Sequence, residues 1–153
     1  MQSEPISIVI PCYNESASIA EVLAETVECM NSLGREFELV IIDDGSTDGT
    51  AAVLDRSGIP HRLIRHRVNR GYGASIKAGI REARHECVLI MDADGQHPPE
   101  SLKELLEETA GCDMTVGARQ GQGSHYWRVP GKFLLQKISE ILVGARIPDI
   151  NSG

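Results

Sequence analysis

Short apolar runs alternate along the chain with segments of helical spacing. Residues 6–11 (ISIVIP), 37–42 (FELVII) and 87–91 (CVLIM) are brief, apolar and rich in β-branched side chains, the pattern of strands buried on both faces. Residues 62–66 (RLIRH) predict a shorter strand, and residues 113–117 (DMTVG) a fifth. Ile19, Val22, Leu23, Val27 and Met30 recur at helical intervals within residues 16–33, with Gly34 as the stop. Further helices are predicted at 47–56, where Asp48 favours the first turn, and at 71–84 behind a glycine-rich turn. Two more follow, at 98–108 with prolines at its start and at 132–144. Strands alternating with helices predict an α/β fold, a mostly parallel sheet with helices on both faces. No internal repeat, low-complexity tract or linker interrupts the pattern.

Composition narrows the class. A chain of 153 residues suits one domain, with a core that buries about 70% of the unfolded surface. Its hydrophobic share of 41% and charged share of 24% are those of an ordinary globular protein. No apolar run approaches the roughly 20 residues of a membrane helix. The opening MQSEPISIVIP enters a strand without a basic segment, unlike a secretory signal. A net charge of −7 weighs against a nucleic-acid partner. Cys12, Cys29, Cys87 and Cys112 show no CxxC spacing and no histidines at metal-site intervals, so a reducing cytosol is expected and a zinc site is not.

In open parallel sheets, ligands bind beyond the carboxyl ends of the strands. The unusual residues of this chain fall there. The first strand runs into Pro11, Cys12, Tyr13, Asn14 and Glu15, and the second into Asp43, Asp44, Gly45 and Ser46. The fourth runs into Asp92, Ala93, Asp94, Gly95 and Gln96, and the fifth into Gly117, Ala118 and Arg119. Carboxylates gathered at one rim repel unless a cation compensates, and hard oxygen ligands without a His–Cys cluster suit Mg²⁺ or Mn²⁺. Strand alternation predicts that Asp92 and Asp94 point the same way, onto one ion shared with a substrate diphosphate. A DxD taken alone is more often a polar turn; the acidic ends of the first two strands favour the metal.

Plainer roles stand beside these. Residues 43–46 suit a turn and a helix cap, Glu15 a helix start, and Arg119 a solvated arginine as well as a phosphate clamp. Lys77 is either solvated or a contact to the donor, and His97 is a turn residue. The segment GYGASIKAG matches neither a dinucleotide fingerprint nor a P-loop, lacking the third glycine and any GK[ST]. Asn14-Glu15-Ser16 fits a glycosylation sequon but lies beside the candidate site in a chain expected to be cytosolic, and is set aside.

IVIPCYNE, VIIDDGSTDGT, NRGYGASIKAGI, IMDADGQHPP and VGARQ, in that order, closely resemble the family 2 glycosyltransferases over essentially the whole chain. DADGQHPP with the later DINSG is most similar to the polyprenyl-phosphate branch, typified by dolichol-phosphate mannose synthase. The resemblance implies a GT-A, Rossmann-like fold and a hexosyltransferase using a GDP- or UDP-sugar. It places Pro11, Tyr13 and Glu15 against the nucleotide, Asp43 and Asp44 near base and ribose, and Asp92, Asp94 and Gln96 around Mg²⁺ or Mn²⁺ and the diphosphate. Arg119 would face the diphosphate or the acceptor phosphate, completing a catalytic set with Asp92 and Asp94. Asp149 and Ser152 match the start of an acceptor-side motif beyond which relatives usually continue. The expectation is one catalytic domain over 1–153, cut short on its acceptor side.

The implied reaction is an inverting displacement at the anomeric carbon. A polyprenyl phosphate is already an anion, so positioning and charge neutralisation supply most of the rate. Such an acceptor implies a cytoplasmic protein working peripherally at the membrane. Phe133, Leu134, Leu135, Ile138, Ile141 and Leu142, with Arg128, Lys132 and Lys137 nearby, would meet that surface, support homo-oligomers, or pack on the sheet. Three alternatives compete. Transfer to a saccharide hydroxyl needs a carboxylate base. A sugar-1-phosphate nucleotidyltransferase needs a glycine-rich basic loop where this chain has Asn14-Glu15-Ser16. A receiver-type signalling domain needs its acidic pair after the first strand, which here ends in PCY.

Overall fold

Seven consecutive buried residues, Ile6–Cys12, form β1 and place it inside the sheet. The structure is a computed structural model and describes residues 4–96, 99–108 and 112–117. After β1 come α1 (Ile19–Ser32), β2 (Phe37–Asp43), α2 (Thr50–Arg56), β3 (Arg62–Arg65), α3 (Tyr72–Glu82), β4 (Cys87–Ile90) and α4 (Pro99–Glu107). The four strands are parallel in the order β3-β2-β1-β4, with Val9 paired to Val40 on one side and Ile90 on the other. α1 and α2 carry the chain outward to β3, and α3 carries it back across to β4. Right-handed crossovers then put α1 and α2 on one face and α3 on the other.

The β-branched pattern explains the two-sided core. Val9, Val40 and Ile42 are fully buried, with Ile64 and Val88 packed against them. α3 lies on this face because Gly79 has no side chain. A Cβ there would come within 2.7 Å of Ile42 Cδ1 and closer still to Val9. Ser75, one turn earlier, is also fully buried. The alternate residues Ile8, Ile10, Leu39 and Ile41 bury the opposite face, and Ile19, Leu23 and Met30 of α1 are equally enclosed. Each such side chain contributes about 1.5–3 kcal/mol by leaving water. The strand order reverses beside β1, so a crevice is expected beyond the carboxyl ends of β1 and β4.

Three expectations need correction. The helix predicted from residue 16 begins at Ile19, and the one from residue 47 begins at Thr50 with Gly49 (φ 97°) at its cap. Asp48 therefore precedes α2, its neighbours being drawn into cross-loop hydrogen bonds. Residues 112–117 form no strand; Met114 and Val116 are 79% and 51% exposed, so neither gains the burial that holds a strand in place.

The chain divides into two compact units, 1–103 and 104–153. In the second, described at 104–108 and 112–117, Glu108 N donates to Glu104 O at 3.2 Å, one further helical turn. His97, Arg119, Arg128, Lys132, Lys137, Asp149, Ser152 and the helix predicted at 132–144 lie outside the described residues. Among the described residues no helix is long and apolar enough to cross a membrane.

Candidate functional site

The ends of β1 and β2 are stitched together by short polar side chains. Asp44 N donates to Cys12 O at 2.9 Å, and the chain then turns at Asn14, whose φ of 58° suits an asparagine. Asn14 N donates to Ser46 Oγ (3.0 Å), and Asn14 Oδ1 accepts Thr47 N (2.8 Å). Glu15 N donates to Thr50 Oγ1 (2.9 Å) and Ser16 N to Asp48 Oδ2 (3.0 Å). Asp48 Oδ1 takes the Thr50 amide and hydroxyl, while Asp43 Oδ1 takes Ser46 N at 2.9 Å. The Thr50 hydroxyl is the main reason Asp48 is held well below the usual carboxylate pKa, and the Ser16 and Thr50 amides reinforce it. Cys12 lies beneath this loop. Burial, then the charges of Asp43, Glu15, Asp48 and Asp44, push its thiol up to about 12, so it stays protonated.

Asp44 turns the other way. Its Oδ1 accepts His66 Nδ1 (2.6 Å) and Arg70 N (2.9 Å), and its Oδ2 accepts Gly71 N (2.8 Å). Burial works against its ionisation, but these donors outweigh it and lower the pKa. Gly45 packs against the same loop. At φ +76°, a Cβ there would sit 2.7 Å from the Val68 carbonyl carbon. The loop leads through Gly71 (φ 88°) to Tyr72, the first residue of α3. The Tyr72 hydroxyl donates to Asp92 Oδ1 at 2.8 Å. Burial, then the hydrogen bond and charge of Asp92, raise the phenol to about 12.

β4 ends at Ile90, with Met91 N donating to Val9 O at 3.0 Å. Asp92 and Asp94 therefore belong to a turn and not to the strand, and the alternation expected to align them does not apply. Gly95 (φ 71°) reverses the chain, and Asp94 Oδ1 accepts Gln96 N at 3.0 Å. Both aspartates remain partly exposed. A shallow hollow beside Asp92 is lined by Val22, Glu25, Thr26, Met91, Asp92, Gly95 and Leu102.

Among the described residues no three His, Cys, Asp or Glu side chains converge as a metal cage. The hard-oxygen set of Asp92, Asp94 and Gln96 nevertheless suits a divalent ion that completes its shell with phosphates and water.

Of the other anticipated residues, Pro11 is buried within β1, Tyr13 is exposed just after it, and Lys77 is exposed on α3. Glu15 Oε2 accepts the Ser18 hydroxyl at 2.8 Å, as a residue starting a helix does. The turn read at 43–46 is present, but the sequence reading missed Asn14, Thr47, Thr50, His66 and Tyr72 as site-building residues. The density of Asn, Ser and Thr in the first two loops was a usable signal, since such side chains bind backbone in turns. Tyr72 gave none, because its partner lies 20 residues away.

An open parallel sheet that presents carboxylates at its switch point defines an α/β domain of the Rossmann-like, GT-A kind. The chain belongs to Glycosyl transferase family 2, whose sequence pattern matches residues 7–142. It is 41% identical over 130 residues to the undecaprenyl-phosphate 4-deoxy-4-formamido-L-arabinose transferase of Pseudomonas paraeruginosa, covering 80% of this chain and 38% of that protein. The protein of the same name from Edwardsiella ictaluri is 33% identical over 151 residues, covering 94% of this chain and 46% of its own length. The chain thus spans less than half of these relatives. Among solved structures, a mannosyltransferase from Pyrobaculum calidifontis in complex with GDP-Man and Mn²⁺ matches with a TM-score of 0.60 at 26% identity, over 70% of this chain and 32% of that one.

Proposed function

We propose that this chain supplies the donor-binding part of an inverting glycosyltransferase that moves a sugar from a GDP- or UDP-sugar to a polyprenyl phosphate. The observation that carries this reading is the pair Asp92 and Asp94, partly exposed in one turn at the switch point. The names of the curated relatives support the acceptor class, and the GDP-Man and Mn²⁺ of the solved relative support donor and metal. Asp92, Asp94 and Gln96 would hold Mg²⁺ or Mn²⁺. Once bound, the metal neutralises charge on the departing diphosphate.

The chain's own residues orient the donor. Pro11, Tyr13 and Glu15 border the nucleotide, with Asp43 and Asp44 on the base and ribose side, and Lys77 is a cation available to phosphate. Asp44 contributes through the loop it fixes as well as through proximity. Arg119 is assigned to the diphosphate or the acceptor phosphate. The acceptor is already an anion, so no side chain need remove a proton; alignment in line with the leaving group is the main requirement. An acceptor of this kind would bring the protein peripherally to the cytoplasmic face of a membrane, as one catalytic domain, with the apolar residues between 133 and 142 available for self-association.

Calorimetry with Mn²⁺ and GDP or UDP tests the donor site. Nucleotide binding should require the metal, and Asp94→Asn should weaken it by at least about tenfold, the lower end of what even outer-shell partners cost. Equal affinity in excess chelator would overturn the assignment. Radiolabelled transfer to undecaprenyl phosphate, compared with saccharide acceptors, tests the acceptor class.

A further inference from the structure

We propose that Tyr72 is a positioning residue for Asp92: its hydroxyl fixes the carboxylate, and the Asp44 clamp fixes Tyr72. The proposal rests on the reading that Asp92 helps hold a divalent ion, and goes beyond it by naming what aims that carboxylate.

Three observations carry it. The phenol donates to Asp92 Oδ1 at 2.8 Å, a charge-assisted geometry. Tyr72 is 44% exposed, so its hydroxyl is not held in place by a closed core, and its direction is set by its backbone and its partner. That backbone is tightly placed, because the two preceding amides, Arg70 N and Gly71 N, both end on buried Asp44. Gly71, at φ 88°, gives the chain a direction that residues with a Cβ seldom take.

The result is a side-chain link between two strand ends that are not neighbours in the sheet. Asp44 follows β2, Asp92 follows β4, and β1 lies between those strands. The path runs from Asp44 through Gly71 to Tyr72 and on to Asp92. A carboxylate in a turn can swing, and a metal ligand that swings binds less tightly. Outer-shell donors commonly set the orientation of ligating groups.

The test is Mn²⁺ binding to the intact chain with GDP or UDP, by calorimetry and by the electron paramagnetic resonance spectrum of the bound ion. Tyr72→Phe should lower Mn²⁺ affinity about tenfold, within the range typical of outer-shell losses, and alter the spectrum. Its urea midpoint should match the parent, which separates positioning from stability. In an Asp92→Ala background, titrated to saturation, Tyr72→Phe should cause no further loss, because residues acting through one group are not additive. Unchanged or tighter Mn²⁺ binding in Tyr72→Phe, or an equal loss in the Asp92→Ala background, would overturn the proposal. A parent chain that takes up no Mn²⁺ with nucleotide would instead refute the metal site itself.

Discussion

Asp44, at the rim after β2, is 4% exposed and takes three N–H donors, whereas Asp92, in the turn after β4, is partly exposed and meets a phenol. Asp43 and Asp48 resemble Asp44 in their commitments, accepting amides from Ser46, Ser16 and Thr50. Asp94 resembles Asp92, with Gln96 N among its donors in a turn closed by Gly95. Asp44 cannot turn toward a cation without stranding donors that have lost water, at about 1–3 kcal/mol each. Asp92 and Asp94, partly exposed, are not enclosed in this way. One acidic edge thus divides into a part buried against the loop before α3 and a part at the solvent boundary, although the residues are of one type.

The largest expected effect comes from cutting the buried part at its centre. Asp44→Ala leaves His66 and the Arg70 amide without their acceptor and Gly71 N with Asn69 Oδ1 alone, and should cost about 3–5 kcal/mol in urea denaturation, the sum of the stranded donors. The same carboxylate gives a signed pH dependence. Its folded pKa lies below its unfolded value, so its contribution is complete above the ordinary carboxylate range and is lost as pH falls through the folded pKa. Glu38 acts in the same direction, since Ser7 and the Arg84 amide outweigh its burial. The urea midpoint should therefore drop in acid, and Asp44→Asn should flatten that drop without removing it.

Gly45→Ala comes next. It forces a Cβ at φ +76° against the backbone of Val68 and Asn69, and should cost about 1–3 kcal/mol in the same assay. Asp48→Ala should act more locally, speeding hydrogen exchange at the Ser16 and Thr50 amides while the sheet amides of β1 stay protected. The smallest effect belongs to the other rim. Asp94→Asn should shift stability by no more than about 0.5 kcal/mol even as metal affinity falls. A stability loss as large as that of Asp44→Ala would erase the contrast between the rims.

The amino-acid sequence alone specified the order and type of all eight described elements, because a buried parallel strand must be apolar on both faces and an amphipathic helix must repeat near every fourth residue. It also brought the acidic segments to one edge, since parallel strands all end on the same side. Its pattern failed at DMTVG, which alternates like a strand yet leaves Met114 and Val116 exposed; alternation records which faces could be buried, and burial requires a neighbour. It failed again at DADG, where the spacing resembles a strand but a left-handed Gly95 makes a turn. Above all, apart from the family resemblance, the residue pattern did not tell Asp44 from Asp92. Asp44 meets donors 22 to 27 residues further on, and Asp92 meets a phenol 20 residues back. Periodicity is written by neighbours a few residues apart. Which carboxylate is enclosed among amides and which stays partly exposed was decided only when β2, the loop before α3 and the turn after β4 came together in space.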